Sequence, residues 1–213
     1  MDESRVGRGE LRAILFDLGG VVIDIDFKRA FQVWAARASR NAADLEQRFA
    51  FDEAYELHET GDLDSSAYFS ALRKRLNASI SEEDLVAGWN DIYLGTIPGM
   101  VKLLATASQR FPLYAFTNSN PTHQSVWSTR FAAELSVFTT IYVSSELGVR
   151  KPDPRSFSLV AERMGVQASE VLFFDDSAEN IVGAISAGMR GVLVESPRDV
   201  SAALGRYGLE VEA

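Results

Sequence analysis

Hydrophobic positions along the chain follow two alternating patterns. Short, uninterrupted apolar runs occupy residues 13–16, 113–116, 140–143, 171–174 and 191–194. Runs that are apolar along their whole length suit strands buried on both faces, as in a parallel sheet with helices above and below. Between them, apolar residues return at helical spacing. Met100, Leu103, Leu104 and Ala107 recur at i, i+3, i+4 and i+7 behind a Pro98-Gly99 turn. Phe157, Val160, Ala161 and Met164 repeat the pattern before Gly165, and Ile181, Ala184 and Ile185 do so before Gly188. From residue 98 onward the alternation predicts βαβ units in an α/β fold with a doubly wound, Rossmann-like parallel sheet.

Residues 25–96 break that alternation. Helical periodicity runs through almost all of the segment and predicts no strand in it. Phe27, Ala30, Phe31, Trp34 and Ala38 share one stripe, and Tyr68, Leu72 and Leu76 another, with Asp64 or Ser65 as N-cap. Ser81 with Asp84 resembles a capping box in which Asp replaces the usual Glu or Gln. Trp34, Phe69 and Trp89 are expected to pack this segment, and Arg73, Lys74 and Arg75 to form an exposed face. The expected organisation is an α/β core of residues 11–24 and 97–213, with a small all-helical cap of residues 25–96 inserted after the first strand. An insertion at the carboxyl end of a strand sits where doubly wound sheets bind ligands, so it is positioned to be a lid.

The length of 213 residues fits one core with a modest insertion. With 21 Lys and Arg against 30 Asp and Glu, the formal net charge is −9. A chain without a basic footprint is not expected to bind nucleic acid or an anionic membrane. A small phosphorylated metabolite stays compatible, because one metal ion and one Lys reverse the field locally. The absence of Cys removes disulfides, thiolate zinc sites and Cys nucleophiles, and leaves the reducing cytoplasm as the default location. No apolar run approaches the ~18–20 residues of a membrane span. Residues 1–10 lack the apolar region of a signal peptide and read as a leader without chemistry.

Four short segments carry the candidate chemistry. Asp17-Leu18-Gly19-Gly20 ends the first strand and Thr117-Asn118 the second. Arg150-Lys151-Pro152-Asp153 follows the third, and Asp175-Asp176 ends the fourth. Parallel strands present their carboxyl ends along one edge, so Asp17, Thr117, Lys151 and Asp176 can meet in one crevice. Such a set suits phosphoryl transfer. A carboxylate can attack phosphorus and split one hard step into two. Mg²⁺ takes one or two carboxylates plus phosphate and water, and screens the repulsion between anionic nucleophile and anionic substrate. Lys, a Thr hydroxyl and backbone N–H groups can hold the phosphoryl oxygens. Taken singly, each segment also has a plainer reading: a turn-capping Asp17, a turn at Thr117-Asn118, a solvated Lys151, a helix N-cap at Asp175-Asp176.

In this order, and with the helical insert, the four segments resemble the four motifs of the haloacid dehalogenase-like superfamily with its C1 cap, over about residues 11–195. The runs F-D-L-G-G-V-V-I-D-I-D-F, H-E-T-G-D and F-F-D-D-S-A-E-N-I look like the bacterial α-D-glucose-1-phosphate phosphatase group. The resemblance implies Asp17 as nucleophile and metal ligand, with the Gly19 carbonyl as a second ligand. It implies Asp176 as the distal Mg²⁺ ligand, with Asp175 beside it as ligand or support. Thr117 and Lys151 would hold the phosphate, helped by the Asn118 N–H. Gly20 would serve the substrate side through backbone geometry, and Asn180 would be at most a supporting residue. His58 and Glu59 precede Gly61 in an expected turn between helices, where they would either touch substrate or form a solvated helix end. Trp127 is expected in the core.

One departure matters. Most phosphatases of the superfamily have Asp two residues after the nucleophile, as general acid and base, whereas this chain has Gly19. Asp24 and Asp26 are the nearest sequence candidates to replace it. Dehalogenase members also lack that Asp, but they typically carry Tyr there and lack the acidic pair. The resemblance therefore implies a Mg²⁺-dependent phosphatase of small phosphorylated metabolites, a monomer or weak homodimer acting on a sugar phosphate such as a sugar 1-phosphate. The alternatives are a metal-independent haloacid dehalogenase-type hydrolase and a non-catalytic phosphate-ligand binder.

Overall fold

The computed structural model describes residues 10–209, so the expected leader lies, but for Glu10, outside the described residues. Strand β1 (Ala13–Phe16) is followed by β2 (Ile23–Ile25) and five helices: α1 (Lys28–Ala38), α2 (Ala42–Arg48), α3 (Glu53–Thr60), α4 (Ser65–Leu76) and α5 (Glu82–Asn90). Strand β3 (Tyr93–Thr96) leads to α6 (Met100–Ala107), β4 (Leu113–Thr117), α7 (Pro121–Arg130), α8 (Ala132–Leu135) and β5 (Thr140–Val143). Helices α9 (Ser144–Leu147) and α10 (Pro154–Met164), β6 (Val171–Asp175), α11 (Ala178–Ser186), β7 (Arg190–Leu193) and α12 (Pro197–Gly205) complete the chain.

Five parallel strands form the main sheet in the order β5-β4-β1-β6-β7. All four residues of β1 are fully buried. Ile14 and Phe16 join one core with Leu172 and Phe174, whereas Ala13 and Leu15 join a second with Phe157 and Phe173. Successive side chains point to opposite faces, so a strand between two helical layers has to be apolar at every position.

Helices α1–α5 pack around Trp89, whose ring meets Trp34, Phe27, Phe49, Tyr55, Tyr68 and Phe69. Trp34 donates its indole N–H to the Leu85 carbonyl at 3.0 Å. A Cβ at Gly88 would lie 2.3 Å from that nitrogen, so only glycine lets α5 approach α1 so closely. Asp52, Asp64 and Ser81 cap α3, α4 and α5, each accepting a backbone N–H. The Asp84 carboxylate accepts the Ser81 hydroxyl, which differs from a full capping box. The basic cluster on α4 is tied down: Arg73 donates to the Ile80 carbonyl and Arg75 pairs with Asp52.

The expectation of no strand within residues 25–96 is overturned. β3 pairs antiparallel with β2, Ile23 opposite Thr96 and Asp24 opposite Gly95, so the chain leaves and returns to the sheet side by side. Strands this short carry too few alternations to stand out against neighbouring helices, and their pairing is non-local. Among the described residues no helix is long and apolar enough to cross a membrane.

Candidate active site

The order of the sheet places the chemistry. Asp17 directly follows central β1, and Thr117 and Asp175 are the last residues of its two neighbours, β4 and β6. Lys151 arrives from the loop after α9. Its ammonium lies 2.7 Å from Asp175 Oδ2 and 3.0 Å from Asp17 Oδ1, with 1% of the side chain exposed. The rings of Phe116 and Phe173 flank it, each centroid 5.5 Å away. Burial alone would lower the Lys151 pKa, but Asp17 and Asp175 outweigh it and hold the pKa above its ordinary value. Asn118 fixes the backbone of this lysine: its amide nitrogen donates to the Lys151 carbonyl and its amide oxygen accepts the Lys151 N–H, both at 2.9 Å. The Asn118 side chain is thus committed to placing Lys151.

The two adjacent acids differ. Asp175 is fully buried, and both its oxygens are taken. Oδ1 accepts from the Ser177 N–H at 2.8 Å and from Asn180 Nδ2 at 3.0 Å; Oδ2 accepts from Lys151 Nζ and Asn180 Nδ2. Asp176 is exposed to the cleft. One oxygen each from Asp17, Asp175 and Asp176 lies within 4.8 Å of the others, an all-oxygen set of the kind a hard divalent cation takes. Burial raises the Asp17 pKa to about 7, with Asp175 and Asp176 adding to the shift and Lys151 opposing it. A cation there relieves this crowding of carboxylates, so the residues present fit Mg²⁺. Gly20 holds φ +78°, and a Cβ on it would fall 2.2 Å from Asp176 Oδ2. Glycine is required there both for the left-handed backbone and for the space beside the acid.

These groups open into a cleft of about 510 Å³ whose other wall comes from the insert. Phe51, Tyr55 and Glu59, spaced four apart, line it from α3 and its lead-in. Glu59 is buried, accepts Arg150 Nε at 2.9 Å and the Tyr55 hydroxyl, and has a pKa raised by burial against the pull of Arg150. Arg150 also pairs with Glu56 at 2.9 Å, so the residue preceding Lys151 ties the sheet edge to α3.

His58 and Glu59 lie in the last turn of α3, before Gly61, and the turn between helices expected there starts only beyond them. Only Glu59 lines the cleft. His58 points into the insert, stacks on Tyr68 at 4.4 Å and meets Ser65 Oγ at 3.2 Å; burial lowers its pKa to about 4. Successive residues on a helix diverge by ~100°, and here that turns Glu59 to the cleft and His58 into the insert. Asp24 and Asp26 are corrected likewise. Ile23 and Ile25 face the cleft, whereas Asp24 is exposed on the other side of β2 and Asp26 accepts the Lys28 N–H at 2.9 Å. Trp127 is buried and also lines the cleft, donating to Ser119 Oγ.

Several cleft residues carried no functional assignment in the sequence, among them Phe51, Tyr55, Arg150 and His123. Arg150 had a signal, its place beside Lys151. His123 had none: it comes from the first turn of α7, stacks on Trp89 of α5 at 4.8 Å and faces Asn90 Oδ1 at 3.3 Å. Burial lowers its pKa to about 3, so it is neutral.

The family model described as haloacid dehalogenase-like hydrolase matches residues 11–188. The chain belongs to this family. It is 29% identical over 194 residues to a phosphatase of Mycobacterium tuberculosis, covering 87% of this chain and 88% of that one. It is 25% identical over 177 residues to D-ribitol-5-phosphate phosphatase of Bacteroides thetaiotaomicron, covering 80% and 85%. A HAD family enzyme of Bacteroides thetaiotaomicron, solved with magnesium and inorganic phosphate, shares the fold with a TM-score of 0.75 at 23% identity, covering 87% and 94%. As a haloacid dehalogenase-like hydrolase the chain is an enzyme, and its departure at Gly19 has a visible setting. A Cβ there would lie 3.0 Å from Ile25 Cδ1, the movable end of a cleft-facing side chain.

Proposed function

We propose that this enzyme is a Mg²⁺-dependent phosphatase of small phosphorylated metabolites, with sugar phosphates, foremost a sugar 1-phosphate, as substrates. The observation that carries the reading is the buried Lys151 clamped between Asp17 and Asp175, with Asp176 facing the same cleft. The phosphatase names of both curated relatives support it.

In this reading an Asp17 carboxylate oxygen bonds to phosphorus while the bond from phosphorus to the leaving oxygen breaks. Lys151 and Thr117 hold the non-bridging oxygens, helped by the Asn118 N–H. With no acid at position 19, the leaving oxygen departs with its electron pair and takes a proton from water. A water molecule then attacks the phosphorus of the aspartyl-phosphate, releasing inorganic phosphate and restoring the Asp17 carboxylate. Asp17, Asp176 and the Gly19 carbonyl would hold Mg²⁺, with Asp175 orienting Lys151 behind them. Bound there, the ion supplies charge screening between nucleophile and phosphate. Glu59 and Gly20 would bound the substrate side, and residues 25–96 would act as the lid over a core of 11–24 and 97–213. We place the enzyme in the cytoplasm as a monomer or weak homodimer.

Gly19 itself favours a second reading, a metal-independent dehalogenase-type hydrolase using the same Asp17. Phosphate release from p-nitrophenyl phosphate, measured with Mg²⁺ and in excess EDTA, decides. Mg²⁺-dependent release is expected. No release, together with halide release from a 2-haloacid, overturns the phosphatase reading.

A further inference from the structure

The leaving-group half of the cleft carries a feature that the chemistry at Asp17 does not use. Phe51 lines the cleft yet is 61% exposed. Its aromatic neighbours all meet it at steep angles: Phe27 at 5.7 Å and 87°, Phe49 at 5.2 Å and 86°, Tyr55 at 4.8 Å and 76°. Among the described residues no ring lies parallel to Phe51. An exposed cleft-lining ring with no stacked partner can take a flat apolar surface against it, as a shelf.

The other end of the same stripe is polar. Glu59 and Arg150 sit there, next to Lys151. Phe51 precedes α3, Glu59 lies in its last turn and Tyr55 lines the cleft between them, so a leaving group of several atoms is needed to reach from the phosphate to the shelf. Such a group needs an apolar face for Phe51 and hydroxyl edges for the Glu59–Arg150 pair. A gluco-configured pyranose ring has both, its C–H face being rigid and its ring hydroxyls equatorial. An open-chain alditol has the same hydroxyls but must freeze several C–C rotors to lie flat.

We propose that Phe51 is a specificity residue that selects phosphomonoesters with a ring-form sugar as leaving group over their open-chain counterparts. The proposal rests on the phosphatase reading and sharpens it.

The test uses substrates with the same primary leaving oxygen, so that leaving-group basicity drops out. These are a methyl hexopyranoside 6-phosphate, locked as a ring, and the hexitol 6-phosphate. Acetyl phosphate serves as the substrate too short to reach the shelf. The wild-type kcat/KM should favour the ring by roughly five- to tenfold. Phe51→Ala should erase most of that ratio, chiefly through KM, and leave acetyl phosphate within about twofold. Phe51→Trp should restore the ratio. An unchanged ring-to-chain ratio in Phe51→Ala, or an equal loss on all three substrates, overturns the proposal. Absence of turnover of any of them by the wild type overturns the phosphatase reading itself, and the shelf with it.

Discussion

The two walls of the cleft are built in opposite ways. The sheet-edge wall is a closed polar network. Lys151 bonds two carboxylates, Asp175 has both oxygens occupied, and Asn118 grips the lysine backbone with both ends of its amide. Each group is fixed by a neighbour on a different strand end, so substituting one disturbs the rest. The insert wall is an open aromatic and ionic surface on one helix and its lead-in, with Phe51 largely uncovered and Glu59 tied back to the core through Arg150. The contrast teaches a division of labour: the rigid wall can stabilise a charged transition state, while the open wall can change with the leaving group. It also predicts that damage to the first wall is general and damage to the second selective.

The largest effect should come from Asp17→Asn. A carboxamide is isosteric but does not attack phosphorus, so turnover should fall below about 1% of wild type on every substrate while the protein still folds. Retained activity in clean protein would break the comparison at its centre. Asp176→Ala should come next. It removes a hard oxygen ligand that faces the cleft, so activity and Mg²⁺ response should fall together, read as rate against Mg²⁺ concentration.

Gly19 sharpens the contrast from the rigid side. Positioned general acids typically contribute ~10²–10⁴-fold, so the wild type should depend steeply on leaving-group pKa and prefer a sugar 1-phosphate to the matching 6-phosphate. Gly19→Asp should narrow that gap, Ile25 moving aside for the new side chain. A flat dependence in the wild type would show that another cleft group already supplies the proton.

On the open wall, Glu59→Gln should alter preference among sugar phosphates by several-fold while sparing acetyl phosphate. His58→Ala should lower thermal stability and reduce all substrates alike, because His58 packs inside the insert. The reverse outcome would exchange their places.

The smallest effect is on stability alone. His123 has a folded pKa lowered to about 3, below the ordinary value of 6.5. From pH 6.5 downward the unfolded chain therefore binds a proton that the folded one refuses, and stability is lost as pH falls, by up to ~1.4 kcal/mol per pH unit. Melting curves at pH 7 and pH 5 should show a larger drop for wild type than for His123→Gln. Equal drops would place the acid sensitivity elsewhere.

The amino-acid sequence alone specified the sheet and the polar wall because their signals are local. A strand buried on both faces must be apolar throughout, and an acid or a hydroxyl at or just past its end must project from the sheet's carboxyl edge, where the loop carrying Lys151 also returns. Asp17, Thr117, Lys151 and Asp176 could be assigned to one crevice for that reason. Tertiary structure alone decided what depends on helix phase and on contacts between distant elements. It turned Glu59 to the cleft and His58 away from it, paired β2 with β3, seated His123 against Trp89, and left Phe51 uncovered at the mouth. A short helix can be rotated without changing its pattern of apolar residues, and a non-local pairing leaves no periodicity in either partner. That is the physical reason why the sheet-edge wall is legible in the chain and the insert wall is not.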